Sequence, residues 1–408
     1  MVDLAWGLWR NGYLAIALDR ARRSGADSYV SRLLGRRAVV VHGAGGAELF
    51  YDERLVQREA AVPAPLAWLL FGRGAVHGLD GERHLDRKQL FLETLTPSQV
   101  APCAEAVGRH LERAVQLWDG REVKVHPELV QAYGSAVLEW VGAQVTPSRA
   151  RRLSQQYAAI VNGFGFAGVA YGRAWAARVR TDAWARGLVD DVRRGRTQAS
   201  EGSVLATIAH SGLDARTAGV ELGNVVRPTI AVAWLGTFAV LALDEAVEWR
   251  VRLADREGDA DRWSFAQEVR RTTPFVPALA GRMRAAATYD GLELRPGDRV
   301  VLDVRGINLD PSTYDDPTRF RPDRFLGVQP GPFTLVPQGG GFPTGHRCPG
   351  ESMAMQVLAE TVRVLAGVDF TVTSSPMLDL GRIPTLPPEG LRIRIGERHI
   401  PKDVTAPR

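Results

Sequence analysis

Two cysteines in 408 residues, Cys103 and Cys348, are too few for a disulfide framework or an all-cysteine zinc site. Their scarcity suits a reducing compartment, so a cytoplasmic location is expected. Long apolar runs are also missing. The longest nearly uncharged stretch, residues 229–243, is short for a spanning helix and suits a buried core helix. No membrane anchor is therefore expected. The opening segment, MVDLAWGLWRNGYLAIALDRARR, has charges inside its apolar stretch and no clean small-residue cleavage site, which reads against a secretory signal. No repeat and no low-complexity linker marks a boundary, and a single domain over residues 1–408 is expected. The net charge is only +5, and no nucleic-acid-binding motif accompanies it. With 45% apolar residues the chain can bury a large core as a soluble protein.

What is present is concentrated in residues 336–365, VPQGGGFPTGHRCPGESMAMQVLAETVRVL. A glycine-rich loop leads to Cys348, then Pro349 and Gly350, then a helical pattern opening at Glu351. Proline suits a first helical turn, because the amide it lacks has no intrahelical partner there. Cys348 is thus expected just before a helix N-terminus, where free amides and the macrodipole favour a thiolate. A thiolate of this kind is a ligand for haem iron that favours O–O cleavage. A buried structural cysteine is the bland reading. Glycines that let the backbone approach a flat ligand weigh against it.

Taken in order, residues 5–35 read as helical. Residues 38–42 and 47–51 read as short strands around a Gly-rich turn, and a polar helix follows past Arg58 to Pro63. Residues 71–92 begin as a loop and continue as a helix carrying His84, Arg87 and Lys88. At spacings of three and four these can share a face, either as a cradle for carboxylates or as a solvated basic surface. His77 lies in the apolar-flanked loop, in a structural or a functional role. Residues 98–212 read as mainly helical. Phe164, Phe166, Tyr171 and Trp175 lie among glycines there, as core or as a mobile lid.

Residues 219–255 form the second informative stretch, apolar almost all round and so a central buried helix. Pro228 is expected to kink it. Arg227 is a permanent charge in this apolar setting. Positions three and four away are Gly223, Asn224, Ile230 and Ala231, so no carboxylate on its own helix can pair with it directly. An acid elsewhere in the fold or a bound anion must then neutralise it, and a carboxylate held in bidentate fashion suits a guanidinium. Glu268 and Arg271, three apart, can form a buried pair. Strands follow at residues 287–294 and 299–304, with turns at Asp290-Gly291 and Pro296-Gly297, and residues 370–400 read as short strands and turns.

Three features in this order, Glu268-x-x-Arg271, Asp316-Pro317-x-x-Phe320-x-Pro322-x-Arg324-Phe325 and the Gly-rich loop around Cys348, resemble the cytochrome P-450 signatures. The resemblance covers nearly the whole chain. It implies a mainly helical, triangular prism with a small β-rich region, heme b (iron protoporphyrin IX) ligated by Cys348, and Glu268 and Arg271 as scaffold beneath it. One departure narrows the comparison. Where oxygen-activating members carry an acid–alcohol pair in the central helix, this chain reads Asn224-Val225-Val226-Arg227-Pro228-Thr229. The Arg227-Pro228 pair, the His77 loop, His84-x-x-Arg87-Lys88 and the lengthened cysteine loop resemble the bacterial fatty-acid peroxygenase and decarboxylase group.

That resemblance implies that Arg227 anchors a substrate carboxylate and that Arg58, His84 and Lys88 contact the propionates. His77 stands where alkene-forming members resemble this chain. Hydrogen peroxide would supply oxygen and reducing equivalents together, with no redox partner required, and the substrate carboxylate would move the proton that the protein has no acid to move. A fatty or other carboxylic acid held in this way exposes its α and β carbons to oxidation, giving a hydroxy acid or a terminal alkene and carbon dioxide. Leu70, Phe71, Phe275 and Val276 are expected to border the pocket. The alternative is a redox-partner-dependent monooxygenase acting on a carboxylated metabolite. A haem sensor and a helical protein without haem are the non-enzymatic readings.

Overall fold

A computed structural model describes residues 3–23, 26–165, 168–255 and 258–396. Phe166 and the expected turns beyond residue 396 lie outside the described residues.

Eight helices carry the architecture: α1 (Gly81–Thr94), α2 (Pro97–Trp118), α3 (Val125–Trp140), α4 (Pro147–Gly163), α5 (Val169–Arg193), α6 (Ala215–Glu245), α7 (Asp259–Thr272) and α8 (Glu351–Ala366). Their starts follow local chemistry. Thr96 and Thr146 each accept the amide three residues on, and a proline follows each in the first turn. Asp214 caps α6 by accepting from the amides of Arg216 and Thr217 at 3.0 and 3.1 Å.

The axis of the fold is α6. It is long and apolar enough to cross a membrane, yet 83% of its most apolar window is buried within the fold. Leu222, Val226, Ile230 and Ala233 are wholly enclosed by the surrounding helices. The helix continues across Pro228 instead of stopping there. The missing amide of Pro228 leaves the Asn224 carbonyl without its intrahelical donor.

A five-stranded sheet packs at one edge: β1 (Tyr29–Leu33), β2 (Arg36–Val41), β3 (Val56–Gln57), β4 (Ala278–Met283) and β5 (Arg299–Asp303), in the order β1-β2-β5-β4-β3. Only β2 and β5 run parallel, with Val39 beside Val300. The hairpin of residues 287–289 and 292–294 turns at Asp290 and Gly291, both at positive φ as the Asp-Gly pair predicts.

Three sequence expectations fail in this region. The long helix over 5–35 is two short helices, Leu4–Asn11 and Ala15–Ala21, followed by β1. Residues 47–51 belong to a helix, Gly43–Tyr51, not a strand. There, Ala47, Leu49 and Phe50 face the sheet, and so short an apolar run does not separate the two periods. The polar helix expected around Arg58 is β3 and a turn, because residues 56–57 pair with β4.

Below α6, the Glu268–Arg271 pair is completely buried, with both nitrogen–oxygen distances 2.7 Å. Arg271 also donates to the carbonyls of Asn308 and Pro317, at 2.9 and 2.7 Å. Glu268 accepts from the Arg321 amide at 2.8 Å and from Arg324 Nε at 3.2 Å. One helical turn thus ties down the irregular segment that precedes the cysteine loop. Breaking such a pair leaves a buried charge and costs about 3–5 kcal/mol.

On the far side of α6, His126 packs edge-on to Trp234 at 4.2 Å. Burial lowers its pKa from 6.5 to about 4. The unfolded chain therefore binds this proton at a higher pH than the folded chain, and stability falls as pH drops from about 6.5 towards 4. His126→Asn is expected to flatten the acid limb of stability against pH, measured by urea melts of the holoprotein between pH 4 and 7.

Candidate active site

Cys348 precedes α8, whose N-cap is Gly350. The loop before it needs glycine for its own backbone: Gly339 and Gly341 have φ of +95° and +79°, and a Cβ at Gly339 would lie 2.8 Å from the Tyr51 hydroxyl. Part of the glycine signal therefore reflects packing on Tyr51. Arg347 joins Glu351 at 2.6 and 2.9 Å, and Arg270 of α7 reaches Glu351 at 2.7 Å, locking the loop to both helices. The Cys348 thiol carries no disulfide. Burial raises its pKa, and this outweighs the lowering by the Gly350 amide and Lys88.

Beside the loop lies a cluster of basic side chains. Arg58 stacks on Phe50 at 4.0 Å and donates from Nη2 to the Phe50 carbonyl at 2.9 Å. His84 of α1 is 2% exposed and stacks on His346 at 4.0 Å. Lys88, one turn on, donates to the carbonyls of Gly345 and Arg347 at 2.7 and 2.6 Å. Burial lowers the Lys88 pKa to about 8 and that of His84 to about 4. Arg58 Nη1 and His84 Nδ1 are buried with no partner among the described residues. Orphaned donors of this kind fit the carboxylates of a haem. Glu53, His84 and His346 also have a spacing that could hold a metal ion. The charges of Arg58 and Lys88 beside them favour an anion instead. Arg87, on the same helix, leaves the cluster and pairs with Glu221 at 2.7 Å.

Close enough to Cys348 to feel its charge, α6 presents Arg227, 5% exposed. Burial, and then the Arg178 guanidinium, push its pKa down to about 9, so it remains charged at neutral pH. Among the described residues no carboxylate lies within ion-pair distance of it; Nη2 donates to Asn224 Oδ1 at 2.9 Å. The Phe71 ring lies 5.7 Å from the guanidinium carbon and stacks on His77 at 4.2 Å, nearly parallel. Burial and neighbouring Arg227 hold His77 well below the usual imidazole range, so it is neutral. By accessible surface His77 is nonetheless an exposed residue of its loop. Phe71, His77 and Arg227 therefore share one wall. Phe275 instead packs at 6.3 Å from Trp234, in a cluster with Val161 and Leu386. Thr229 bonds back to the Val225 carbonyl at 2.9 Å.

Sequence reasoning missed Glu221, Asp80 and His346. Glu221 was legible as i−3 from Asn224 and i−6 from Arg227 on one helical face. Asp80 and His346 meet only through tertiary contact, at 3.5 Å.

A mainly helical fold with a glycine-rich cysteine loop leading into α8 is that of a cytochrome P450, and the chain belongs to that family. The cytochrome P450 family model matches residues 264–363. Among solved structures, cytochrome P450SP alpha (CYP152B1) in complex with (R)-ibuprophen is 34% identical, with a TM-score of 0.91 over 97% of this chain and 98% of that one. Ligand-free cytochrome P450 OleT is 31% identical, again with a TM-score of 0.91, over 97% of both chains. Within the family the specific resemblance is thus to the CYP152 group. Curated relatives include putative cytochrome P450 137 of Mycobacterium tuberculosis, 32% identical over 140 residues, which are 34% of this chain and 29% of the relative. Putative cytochrome P450 135B1 of Mycobacterium bovis is 29% identical over 225 residues, 54% of this chain and 45% of the relative. The match spans less than half the length of these curated relatives.

Reduction of the holoprotein under carbon monoxide is expected to give the red-shifted Soret band of a thiolate-ligated haem. Cys348→Ala should lose that band, whereas Arg58→Met should keep it and lose haem faster to an apo-globin acceptor.

Proposed function

We propose that this protein is a haem-thiolate peroxygenase, a single catalytic domain that uses hydrogen peroxide to oxidise fatty or other carboxylic acids at the α or β carbon. The observation that carries this reading is Arg227: buried, charged, without a carboxylate partner among the described residues, and within electrostatic reach of Cys348. An unpaired buried charge costs several kcal/mol unless an anion joins it. The likeness to cytochrome P450SP alpha and to OleT, one variant of which is solved in complex with arachidonic acid, supports a carboxylic acid as that anion.

Cys348 would hold the iron, and Arg58, His84 and Lys88 would hold the propionates. The group, once bound, supplies O–O cleavage and hydrogen abstraction. Arg227 binds the substrate carboxylate through parallel charge-assisted hydrogen bonds and so orients its α and β carbons towards the cysteine side. The carboxylate, kept ionised by the guanidinium, accepts the proton of incoming peroxide and returns it to the departing oxygen as water forms. Thr229 does not supply this proton, because its hydroxyl is spent on its own helix. Neutral His77 has one N–H to give and stands beside the same anion site. Pro228, by removing an amide, frees the Asn224 carbonyl at the level of the site.

Hydroxylation then balances as acid plus peroxide giving hydroxy acid and water. Decarboxylation gives alkene, carbon dioxide and two waters. Neither outcome needs electrons from a redox partner.

The test is turnover of a saturated fatty acid with peroxide alone, against a ferredoxin and reductase. Peroxide alone should suffice, and a strict requirement for the redox partner would overturn the proposal in favour of a conventional monooxygenase. Arg227→Ala should lower kcat/KM at least about a hundredfold, the scale of two charged hydrogen bonds. His77→Gln should leave haem binding intact and shift the alkene-to-hydroxy-acid ratio towards the hydroxy acid; an unchanged ratio removes His77 from the assignment.

A further inference from the structure

Glu221, Asn224 and Arg227 stand at successive steps of three along α6, and a chain of hydrogen bonds joins them. Arg227 Nη2 donates to Asn224 Oδ1 at 2.9 Å, and Asn224 Nδ2 donates to Glu221 Oε2 at 2.9 Å. The other carboxylate oxygen, Glu221 Oε1, accepts from Arg87 Nη1 at 2.7 Å and from the Val76 amide at 2.9 Å. Glu221 is 0% exposed, and Asn224 is 6% exposed.

The direction of the chain is forced. A guanidinium only donates and a carboxylate only accepts, so the amide between them has a single orientation that satisfies both. The charges are also apportioned. Arg87 and Glu221 compensate each other, which leaves the Arg227 charge for an incoming anion. Val76, whose amide the carboxylate holds, is the residue before His77.

We propose that Glu221 is a positioning residue: through Asn224 it sets the plane of the Arg227 guanidinium, and through the Val76 amide it holds the His77 loop in register with that plane. The proposal rests on Arg227 being the carboxylate anchor. Its consequence is regiochemical. A guanidinium free to swivel still attracts a carboxylate but no longer fixes which of two adjacent carbons faces the cysteine side, because parallel bidentate bonding depends on the plane.

Glu221→Gln tests this with almost no change of shape. A glutamine side chain places a donor where the carboxylate had an acceptor, so one contact must fail. Either Asn224 flips and turns Nδ2 towards Arg227, or the Val76 amide and Arg87 meet the glutamine nitrogen. Two titrations and one product analysis read the outcome: spectral binding of a saturated fatty acid, spectral binding of imidazole as a neutral iron ligand, and the α-to-β product ratio with peroxide.

Glu221→Gln is expected to weaken acid binding roughly tenfold, the scale of one charge-assisted bond. It should also broaden the α-to-β ratio and leave imidazole binding within about twofold. Should Glu221→Gln fail to retain haem, Asn224→Ala is measured in its place. That variant cuts the link to Arg227 while leaving Glu221 paired with Arg87 and Val76, and the same pattern is expected. Unchanged acid affinity and product ratio overturn the proposal, as does an equal loss of acid and imidazole binding, which marks a purely structural role. Arg227→Ala separates this from the anchor itself. If it binds the acid as wild type does, the anchor reading fails. If it loses the acid while Glu221→Gln and Asn224→Ala keep it, only the positioning role fails.

Discussion

A positive charge held inside an apolar helix is the constraint to which the rest of the site answers. Arg227 cannot shed its proton at neutral pH, and α6 around it offers little but aliphatic side chains. Burial of such a charge works against folding, so the surroundings have to soften that cost without cancelling the charge. They do so with dipoles instead of a contact ion pair: the Asn224 amide in line, the Phe71 ring face nearby and Glu221 two bonds removed. A directly bonded carboxylate would have made a more comfortable core and a worse receptor. Burial first, and then repulsion by Arg227, keep His77 neutral as well.

The side of the fold beneath α6 is built on the opposite rule. Glu268 and Arg271 are fully buried and fully paired, and their remaining hydrogen-bonding capacity is spent on backbone carbonyls and amides of the segment that leads to Cys348. Arg270, Arg347 and Glu351 repeat the device at the start of α8. Irregular backbone cannot satisfy itself in a core, so charged side chains that reach several carbonyls at once do it. The cysteine loop is thereby fixed by polar bonds to its neighbours.

Much of this was legible in the amino acids. The turn chemistry at Asp290-Gly291, the all-round apolar character of α6, the i,i+3 spacing of Glu268 and Arg271 and the lone charge of Arg227 each carry their physics in local order. The failures are equally physical. Residues 47–51 satisfy strand and helix patterns alike, and only the sheet against which they pack decides between them. Arg87 shares a helix with His84 and Lys88, yet it turns to Glu221, 134 residues away, because that buried carboxylate offers the stronger partner.

By itself the sequence determined the kind of protein: helix periodicity, the signature spacings and the cysteine loop are short-range properties, readable because each depends on neighbours within a few turns. It also left the Arg227 charge to be met by an acid elsewhere in the fold or by a bound anion, because no acid stands three or four residues away on its own helix. Only the tertiary structure decided how that guanidinium is aimed. The chain from Arg227 through Asn224 to Glu221 runs along α6 itself, but the bonds that fix its far end join α6 to α1 and to the His77 loop, and hydrogen bonds between segments depend on distances that no spacing along the chain encodes.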